Sequence, residues 1–337
     1  MVADLLFQVL IFIISLAVLA QSSHWVIKSA VKIARITKLG ELMIGFVVLS
    51  LATTLPELAV STSAILSSET AREFGIRIAL GNIFGSNIVN IGFIFGLSAI
   101  ITPLKISNKS LRKMITMLFL ISLIPLLLLN MGYIGRFIGT LLLAAFVVFT
   151  YYSTKKKITI MGFHDYVPKK LIKKIKIPLQ YHKSLFMLSL GIAGVLISSK
   201  FLIDSAVGIA GMLNIGGMVI GAVIIAVGTS LPELTNTLTS IKEGHMQLGL
   251  GNTIGSCLTN LTLVLGIVLI VGATIIETAI FYTVIMFVVV LSILLWYFLC
   301  VDRKIERNEG IVLFVTFVLF VITTLGIQIS LLGIFTK

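Results

Sequence analysis

Two Pro–Glu pairs are the residues of this chain best suited to chemistry. They lie in the motifs TTLPEL and TSLPEL, each inside a long apolar stretch. Proline lacks an amide hydrogen and crowds the carbonyl one turn earlier, so Pro56 and Pro232 should kink their helices and free carbonyl oxygens. Glu57 and Glu233 follow directly, and a carboxylate in hydrocarbon is costly. Together these oxygens would form a cage of hard ligands suited to Ca²⁺, and also to Na⁺.

More oxygens occur at helical spacing near each glutamate. Thr53 precedes Glu57 by four residues and Thr229 precedes Glu233 by four, so each pair shares a helix face. Two further motifs, GNIFGSNIVN and GNTIGSCLTN, carry polar stripes in apolar surroundings, comprising Asn82, Ser86 and Asn90, and Asn252, Ser256 and Asn260. A lone Asn or Ser can also simply bond to a neighbouring helix. However, the motifs contain no Lys or Arg, so a cation or protons must balance the two carboxylates. The motifs also contain no histidine, so the site fits zinc and copper poorly.

The elements that must position these residues are membrane-spanning helices. The chain is 58% hydrophobic and 12% charged, with a mean hydropathy of +1.14, whereas soluble domains average about 25% charged residues. Its apolar runs are continuous rather than alternating, which favours an all-α membrane protein over a β-barrel. Ten transmembrane helices are predicted, over residues 4–23, 41–66, 77–101, 114–130, 134–153, 184–204, 215–241, 247–271, 278–300 and 310–334.

Positive charge is distributed unevenly between the two sets of connections. Of the 26 Lys and Arg residues, 21 fall in alternate connections, namely 24–40, 102–113, 154–183, 242–246 and 301–309. The positive-inside rule places this set in the cytoplasm and both termini outside a plasma membrane. The stretch 154–183 is then a basic cytoplasmic linker against anionic headgroups. The net charge of +13 therefore points to the lipid bilayer as a partner, and not to nucleic acid.

An internal repeat divides the chain. Residues 22–58 align without gaps to 198–234, with 17 of 37 positions identical, and the two stripe motifs also match. The predicted domains are a first five-helix repeat over 1–153 and a second over 184–337, joined by the basic linker. Because each half has an odd number of spans, the second half should insert upside down, and inverted repeats of this kind are a transporter architecture.

These paired motifs resemble the α-repeats of the cation/calcium antiporter superfamily, and most closely the sodium/calcium exchangers in their short prokaryotic form. The resemblance implies that Glu57 and Glu233 ligate Ca²⁺ with the backbone carbonyls of Thr53 and Thr229. It implies one flanking Na⁺ position formed by Ser50, Thr54 and Ser86, and another formed by Ala226, Ser230 and Ser256. Asn90 and Asn260 would complete a central ring of ligands. It also implies that the first and sixth spans are sliding gate helices. Some relatives, including potassium-dependent exchangers, carry aspartate where Asn260 stands, which argues against K⁺ co-transport.

The function implied is secondary antiport of Na⁺ against Ca²⁺ by alternating access, normally extruding Ca²⁺. Both ions are transported substrates, and no covalent cofactor is expected. A Ca²⁺/H⁺ exchanger using the same two glutamates remains an alternative, as does a cation channel with a midplane site. The sequence lacks a phosphate-binding loop, a nucleophile elbow and an HExxH motif, so an enzyme is not expected. A monomer is compatible with the sequence.

Overall fold

The chain folds into helices that follow its apolar runs. A computed structural model describes residues 2–36, 50–66, 72–105, 109–128, 135–160, 179–272 and 279–331. The α-helices are α1 (Val2–Ile36), α2 (Ser50–Thr53), α3 (Leu55–Ile65), α4 (Arg72–Ile88), α5 (Gly96–Ile101), α6 (Lys109–Ser122), α7 (Ile124–Leu128), α8 (Gly135–Ile160), α9 (Leu179–Leu213), α10 (Gly217–Val219), α11 (Ala226–Thr229), α12 (Leu231–Lys242), α13 (Met246–Thr259), α14 (Leu265–Gly272), α15 (Ala279–Trp296) and α16 (Arg307–Leu331). Four π-helical segments, Val89–Phe95, Ile220–Ile225, Asn260–Val264 and Tyr297–Val301, continue these helices.

Seven helical runs in the described part of the chain are long and apolar enough to cross a membrane. They are Ala3–Ala30, Glu73–Ile101, His182–Leu213, Gly217–Lys242, Met246–Gly272, Ile280–Cys300 and Arg307–Ser330. Each corresponds to one of the ten predicted spans. The prediction of a multi-pass, all-α membrane protein is therefore confirmed.

Within the described residues, the other three predicted spans do not reach this length. Only the part of 41–66 from Ser50 onward lies within the described residues. The predicted span 114–130 divides at Leu123 into α6 and α7, two residues before Pro125, whose ring disfavours a continuous helix. Within 134–153, the apolar helix Gly135–Tyr151 is shorter than the seven spanning runs.

Helices α1 and α9 are longer than predicted, with 35 residues each. Hydropathy falls at the first charges, but no Gly or Pro occurs between His24 and Ile36 to end α1. Most of the predicted linker 154–183 lies outside the described residues, although α8 runs to Ile160 and α9 begins at Leu179.

The two long helices carry matched sequences of the repeat and pack side by side. A Cβ at Gly191 would lie 2.9 Å from the carbonyl oxygen of Ser22, and one at Gly208 would lie 3.0 Å from the side chain of Gln8. Since position 191 faces position 22 while position 208 faces position 8, α1 and α9 run antiparallel.

Close backbone contact joins the motif helices of the two halves. A Cβ at Gly85 would lie 2.3 Å from the carbonyl oxygen of Ala222, and one at Gly221 would lie 2.3 Å from that of Ile78. Only glycine permits this approach, which brings α4 against the π-helical segment Ile220–Ile225. This crossing holds the GNIFGSN motif beside the helix that leads into TSLPEL.

A short ladder ties together one end of the helical body. Strand β1 (Leu104–Lys105) pairs antiparallel with β2 (Lys304–Ile305), and Gln247 Nε2 donates to the carbonyl oxygen of Lys105 at 3.1 Å. A hydrogen bond from Lys304 lowers the pKa of Glu306 beside this ladder. Strands β1 and β2 lie in two of the basic connections, and α13 begins at the end of a third. These three segments therefore meet at the same end of the molecule.

Candidate cation site

Both Pro–Glu motifs interrupt their helices. Helix α2 ends at Thr53 and α3 begins at Leu55, while α11 ends at Thr229 and α12 begins at Leu231. In each case proline occupies the first turn of the new helix, where a backbone N–H would find no acceptor within the helix, so the N–H that proline lacks costs no hydrogen bond. The predicted interruptions are present. Each also places its glutamate in the first turn of a helix, where the helix dipole favours negative charge.

The two glutamates come together in the interior. Glu57 and Glu233 are both 0% exposed, and their carboxylates are close enough for their charges to interact. Ser230 Oγ lies 3.4 Å from Glu57 Oε1, whereas Glu57 Oε2 and both carboxylate oxygens of Glu233 have no hydrogen-bond partner among the described residues. No described Lys or Arg forms an ion pair with either side chain. Buried oxygens in this condition require a cation or a proton to compensate them.

Thr53 connects the first break to the second polar stripe. Its hydroxyl lies 3.2 Å from the carbonyl oxygen of Ser50 and 3.2 Å from Asn252 Oδ1, so it has two acceptors within reach. It also lies 3.0 Å from Ser256 Oγ. The hydroxyls of Thr53 and Ser256 both face the carboxylate of Glu233. Oxygens from both halves therefore surround this glutamate.

Thr229, the repeat equivalent of Thr53, makes the corresponding contacts with the polar stripe of the first half. Its hydroxyl lies 3.3 Å from the carbonyl oxygen of Ala226, 3.1 Å from Asn82 Oδ1 and 3.4 Å from Ser86 Oγ. It also faces the carboxylate of Glu57. Positions that match in the sequence repeat thus make matching contacts across the site, with distances that differ by at most 0.4 Å.

All twelve residues predicted for the site are at most 1% exposed; they are Ser50, Thr53, Thr54, Glu57, Ser86, Asn90, Ala226, Thr229, Ser230, Glu233, Ser256 and Asn260. Thr54 Oγ1 donates to the carbonyl oxygen of Ser50 at 2.6 Å, so it lies at the first break. Asn90 and Asn260 lie one turn beyond the serines of their stripes, in the π-helical segments Val89–Phe95 and Asn260–Val264. Their side-chain amides have no hydrogen-bond partner among the described residues. Wide π-turns of this kind are frequent at functional sites.

Asn82 and Asn252, which were predicted as members of the two polar stripes but not as ligands, also contact the site. Asn82 Nδ2 lies 3.1 Å from Ser61 Oγ and 3.4 Å from the carbonyl oxygen of Glu57, in addition to its contact with Thr229. The sequence contained the signal, because each asparagine lies one turn before the serine of its stripe. It could not indicate that these amides contact the threonines of the opposite half.

The two halves differ in packing beyond the site. Ser63 Oγ on α3 lies 3.0 Å from Ser199 Oγ on α9, so these helices are in contact. At the repeat offset of 176 the equivalent pair is Thr239 on α12 and Ser23 on α1. Here Ser23 Oγ donates to the carbonyl oxygen of Leu19 at 2.7 Å, and Thr239 lines a cavity of about 500 Å³ between α1 and α12. Helix α9 therefore packs closely against α3 at this position, whereas a cavity separates α1 from α12.

A multi-helix membrane body with interrupted helices and unpaired buried carboxylates is the architecture of an ion transporter. The sodium/calcium exchanger protein family model matches residues 7–155 and 183–326, and the chain belongs to this family.

The chain is 30% identical to the sodium/calcium exchanger MaX1 of Methanosarcina acetivorans, over 93% of this chain and 97% of the relative. It is 31% identical to the putative antiporter CaxA of Alkalimonas amylolytica, over 91% and 95%. Its fold matches the solved sodium-calcium exchanger NCX_Mj soaked with 10 mM Na⁺ and no Ca²⁺, with a TM-score of 0.66, 31% identity and coverage of 94% and 98%. The family resemblance predicted from the motifs is confirmed.

Proposed function

We propose that this protein is a secondary antiporter that exchanges Na⁺ for Ca²⁺ at the site formed by Glu57 and Glu233. The observation that carries this proposal is the meeting of two fully buried carboxylates, three of whose four oxygens have no described hydrogen-bond partner. The ligand set is the twelve residues predicted above, together with Asn82 and Asn252. The names of the relatives, which include a sodium/calcium exchanger and a putative antiporter, support the same assignment.

The topology we propose is two inverted repeats of five helices, 1–153 and 184–337, with 154–183 as a cytoplasmic linker. Two observations support it. Matched helices α1 and α9 run antiparallel, and the contacts of Thr53 are repeated by Thr229. The end that carries the β1–β2 ladder faces the cytoplasm, because basic connections gather there. Both termini then lie outside.

Coupling follows from the charge of the site. When empty, the site contains two carboxylates that pair with no described Lys or Arg, so moving it between the two sides of the membrane is unfavourable. When loaded with Ca²⁺ or with Na⁺, these charges are compensated and the transition becomes accessible. Each ion can drive only as much conformational change as its differential affinity allows, so competition for one set of oxygens links the two fluxes. The Na⁺ gradient and the membrane potential then supply the energy to expel Ca²⁺.

Alternating access is supported by the unequal packing of the long helices. In the topology above, the Ser63–Ser199 contact lies on the external side and the cavity at Thr239 opens on the cytoplasmic side. The structure then corresponds to an inward-open arrangement. In the outward-open arrangement, Ser23 and Thr239 approach each other and Ser63 and Ser199 separate.

Proton coupling is the second candidate, because an unpartnered buried carboxylate can also take up a proton. ⁴⁵Ca²⁺ uptake into proteoliposomes with imposed gradients distinguishes the two. We expect an outward Na⁺ gradient to drive uptake, a pH gradient without Na⁺ to drive none, and added K⁺ to have no effect, since Asn260 supplies no third carboxylate. Uptake driven equally well by a pH gradient alone would assign the protein as a Ca²⁺/H⁺ exchanger.

A further inference from the structure

Helix α9 ends in a well-defined turn. Asn214 has a positive φ of 54°, and the backbone N–H of Ile215 donates to the carbonyl oxygen of Ala210 at 3.0 Å. This bond, together with a left-handed residue just after the helix, is the Schellman motif, and asparagine adopts the left-handed conformation more readily than most residues with a side chain. Helix α10 then begins at Gly217. Residues 214–216 therefore form a short connector between α9 and the helices that lead into TSLPEL.

One side chain of α16 bonds to this connector at two points. Gln328 Nε2 donates to the carbonyl oxygen of Asn214 at 3.1 Å, and Gln328 Oε1 accepts from the backbone N–H of Gly216 at 3.1 Å. The donor and acceptor ends of the amide thus match an acceptor and a donor of the connector. Gln328 is only 8% exposed, so backbone groups that lost this partner would be costly to leave unpaired.

The connector and its partner helix are both attached to the span Glu73–Ile101, which carries the GNIFGSN motif. On α16, a Cβ at Gly310 would lie 2.9 Å from the carbonyl oxygen of Gly96. At the start of α10, a Cβ at Gly217 would lie 2.9 Å from the carbonyl oxygen of Phe74. Both α16 and α10 are therefore in close backbone contact with a helix of the cation site, and the connector is held on the same body.

Helix α9 can change its position while the connector stays in place. In the proposed cycle Ser199 must leave Ser63, and it lies about 21 Å along α9 from Leu213, at about 1.5 Å per residue. A rotation of α9 by about 10° about the connector would therefore displace Ser199 by about 4 Å. Neither hydrogen bond of Gln328 has to break in this rotation, because both backbone groups that it contacts lie beyond the end of α9.

We propose that Gln328 is a positioning residue that fixes the connector 214–216 as the pivot of α9. Its amide holds the end of α9 at one place on the helices of the cation site, so α9 returns to the same register against α3 after each transition. Helix α1 moves with α9, because the two pack closely at Gly191. This role rests on the alternating-access cycle proposed above. The described hydrogen bonds of Gln328 involve no predicted ligand, so its role is separable from ion binding.

Gln328→Met keeps the length of the side chain and removes both hydrogen bonds. Cysteines introduced as S63C/S199C, with Cys300 replaced by serine, report closure of the external side through their rate of disulfide formation. In this background Q328M should slow crosslinking by about fivefold or more, since one such hydrogen bond corresponds to about a fivefold change in population. Q328M alone should lower Na⁺-driven ⁴⁵Ca²⁺ uptake by a similar factor. Equilibrium ⁴⁵Ca²⁺ binding should stay within about twofold of wild type, because the site itself is intact.

The matched control is Thr324→Val, one turn before Gln328 on α16. Thr324 is 0% exposed and its hydroxyl has no hydrogen-bond partner among the described residues, so T324V should leave crosslinking, uptake and binding unchanged. Gly216→Ala tests the same contact from the other side. Its Cβ would lie 3.1 Å from Gln328 Oε1 and would push the amide away, so it should slow crosslinking and uptake as Q328M does.

Unchanged crosslinking and uptake in Q328M would overturn the proposal. So would a parallel loss of Ca²⁺ binding and uptake, which would indicate a general effect on the fold. Faster crosslinking of S23C/T239C in the Q328M background would also overturn it, because the amide would then hold one arrangement and would not act as a pivot in both. Crosslinking is measured without transport, so a wild type that lacks Na⁺-driven uptake would count against the antiport assignment and leave this test in place.

Discussion

We expect Glu57→Gln, and separately Glu233→Gln, to lower Na⁺-driven ⁴⁵Ca²⁺ uptake by about a hundredfold or more. Glutamine preserves the size of the side chain but removes its charge, and loss of one partner from a buried charged pair typically costs about 2–5 kcal/mol. The fold should survive, because each carboxylate carries oxygens without a described hydrogen-bond partner. A neutral amide is cheaper to bury than such a carboxylate. Uptake into Na⁺-loaded proteoliposomes measures the first effect, and thermal unfolding of the ion-free protein measures the second.

Glu73→Gln is the control for this experiment. Glu73 is exposed and pairs with Arg77 on the surface of α4, away from the buried site. Its loss should leave uptake within about twofold of wild type, since exposed ion pairs contribute little. Full transport by either buried glutamine variant would contradict the role assigned to the two carboxylates.

A disulfide between S63C and S199C should stop exchange. The two serine oxygens are 3.0 Å apart, so cysteines at these positions can be bridged with little movement of the backbone. The bridge would fix α3 against α9 and prevent the external side from opening. In a background in which the partly buried Cys300 is replaced by serine, we expect oxidation to reduce uptake to the level of empty liposomes and reductant to restore it.

The equivalent pair S23C/T239C serves as the complementary case. It should form a disulfide more slowly, because the cavity separates these helices in this structure, and once formed it should trap the outward-open arrangement. Each single-cysteine variant should transport normally under oxidation. Wild-type transport by fully crosslinked S63C/S199C would show that the contact does not move during the cycle.

Much of the architecture could be predicted because a membrane span leaves a strong signal. Continuous apolar runs predicted the seven long spanning helices, and proline in TTLPEL and TSLPEL predicted both helix breaks. Helix ends were harder to predict. Hydropathy follows the bilayer, whereas a helix continues until Gly, Pro or packing ends it, so α1 runs well past residue 23.

The inner details of the site depend on contacts between distant parts of the chain. Repeat alignment identified both glutamates and their threonines, but the contacts of Thr53 with Asn252 and of Thr229 with Asn82 join residues 199 and 147 positions apart. The difference in packing between Ser63–Ser199 and Ser23–Thr239 was likewise beyond prediction. Two matched halves have the same local sequence signals, so only the three-dimensional structure reveals that one side is open.

The central claim is that Na⁺ and Ca²⁺ share one site that needs both buried carboxylates. Equilibrium binding of ⁴⁵Ca²⁺ to the purified protein, titrated with Na⁺ at constant ionic strength, tests it most directly. We predict that Na⁺ displaces Ca²⁺ from the wild type and that Glu57→Gln and Glu233→Gln each lose high-affinity Ca²⁺ binding. Binding that is insensitive to Na⁺, or that survives both substitutions, would contradict it.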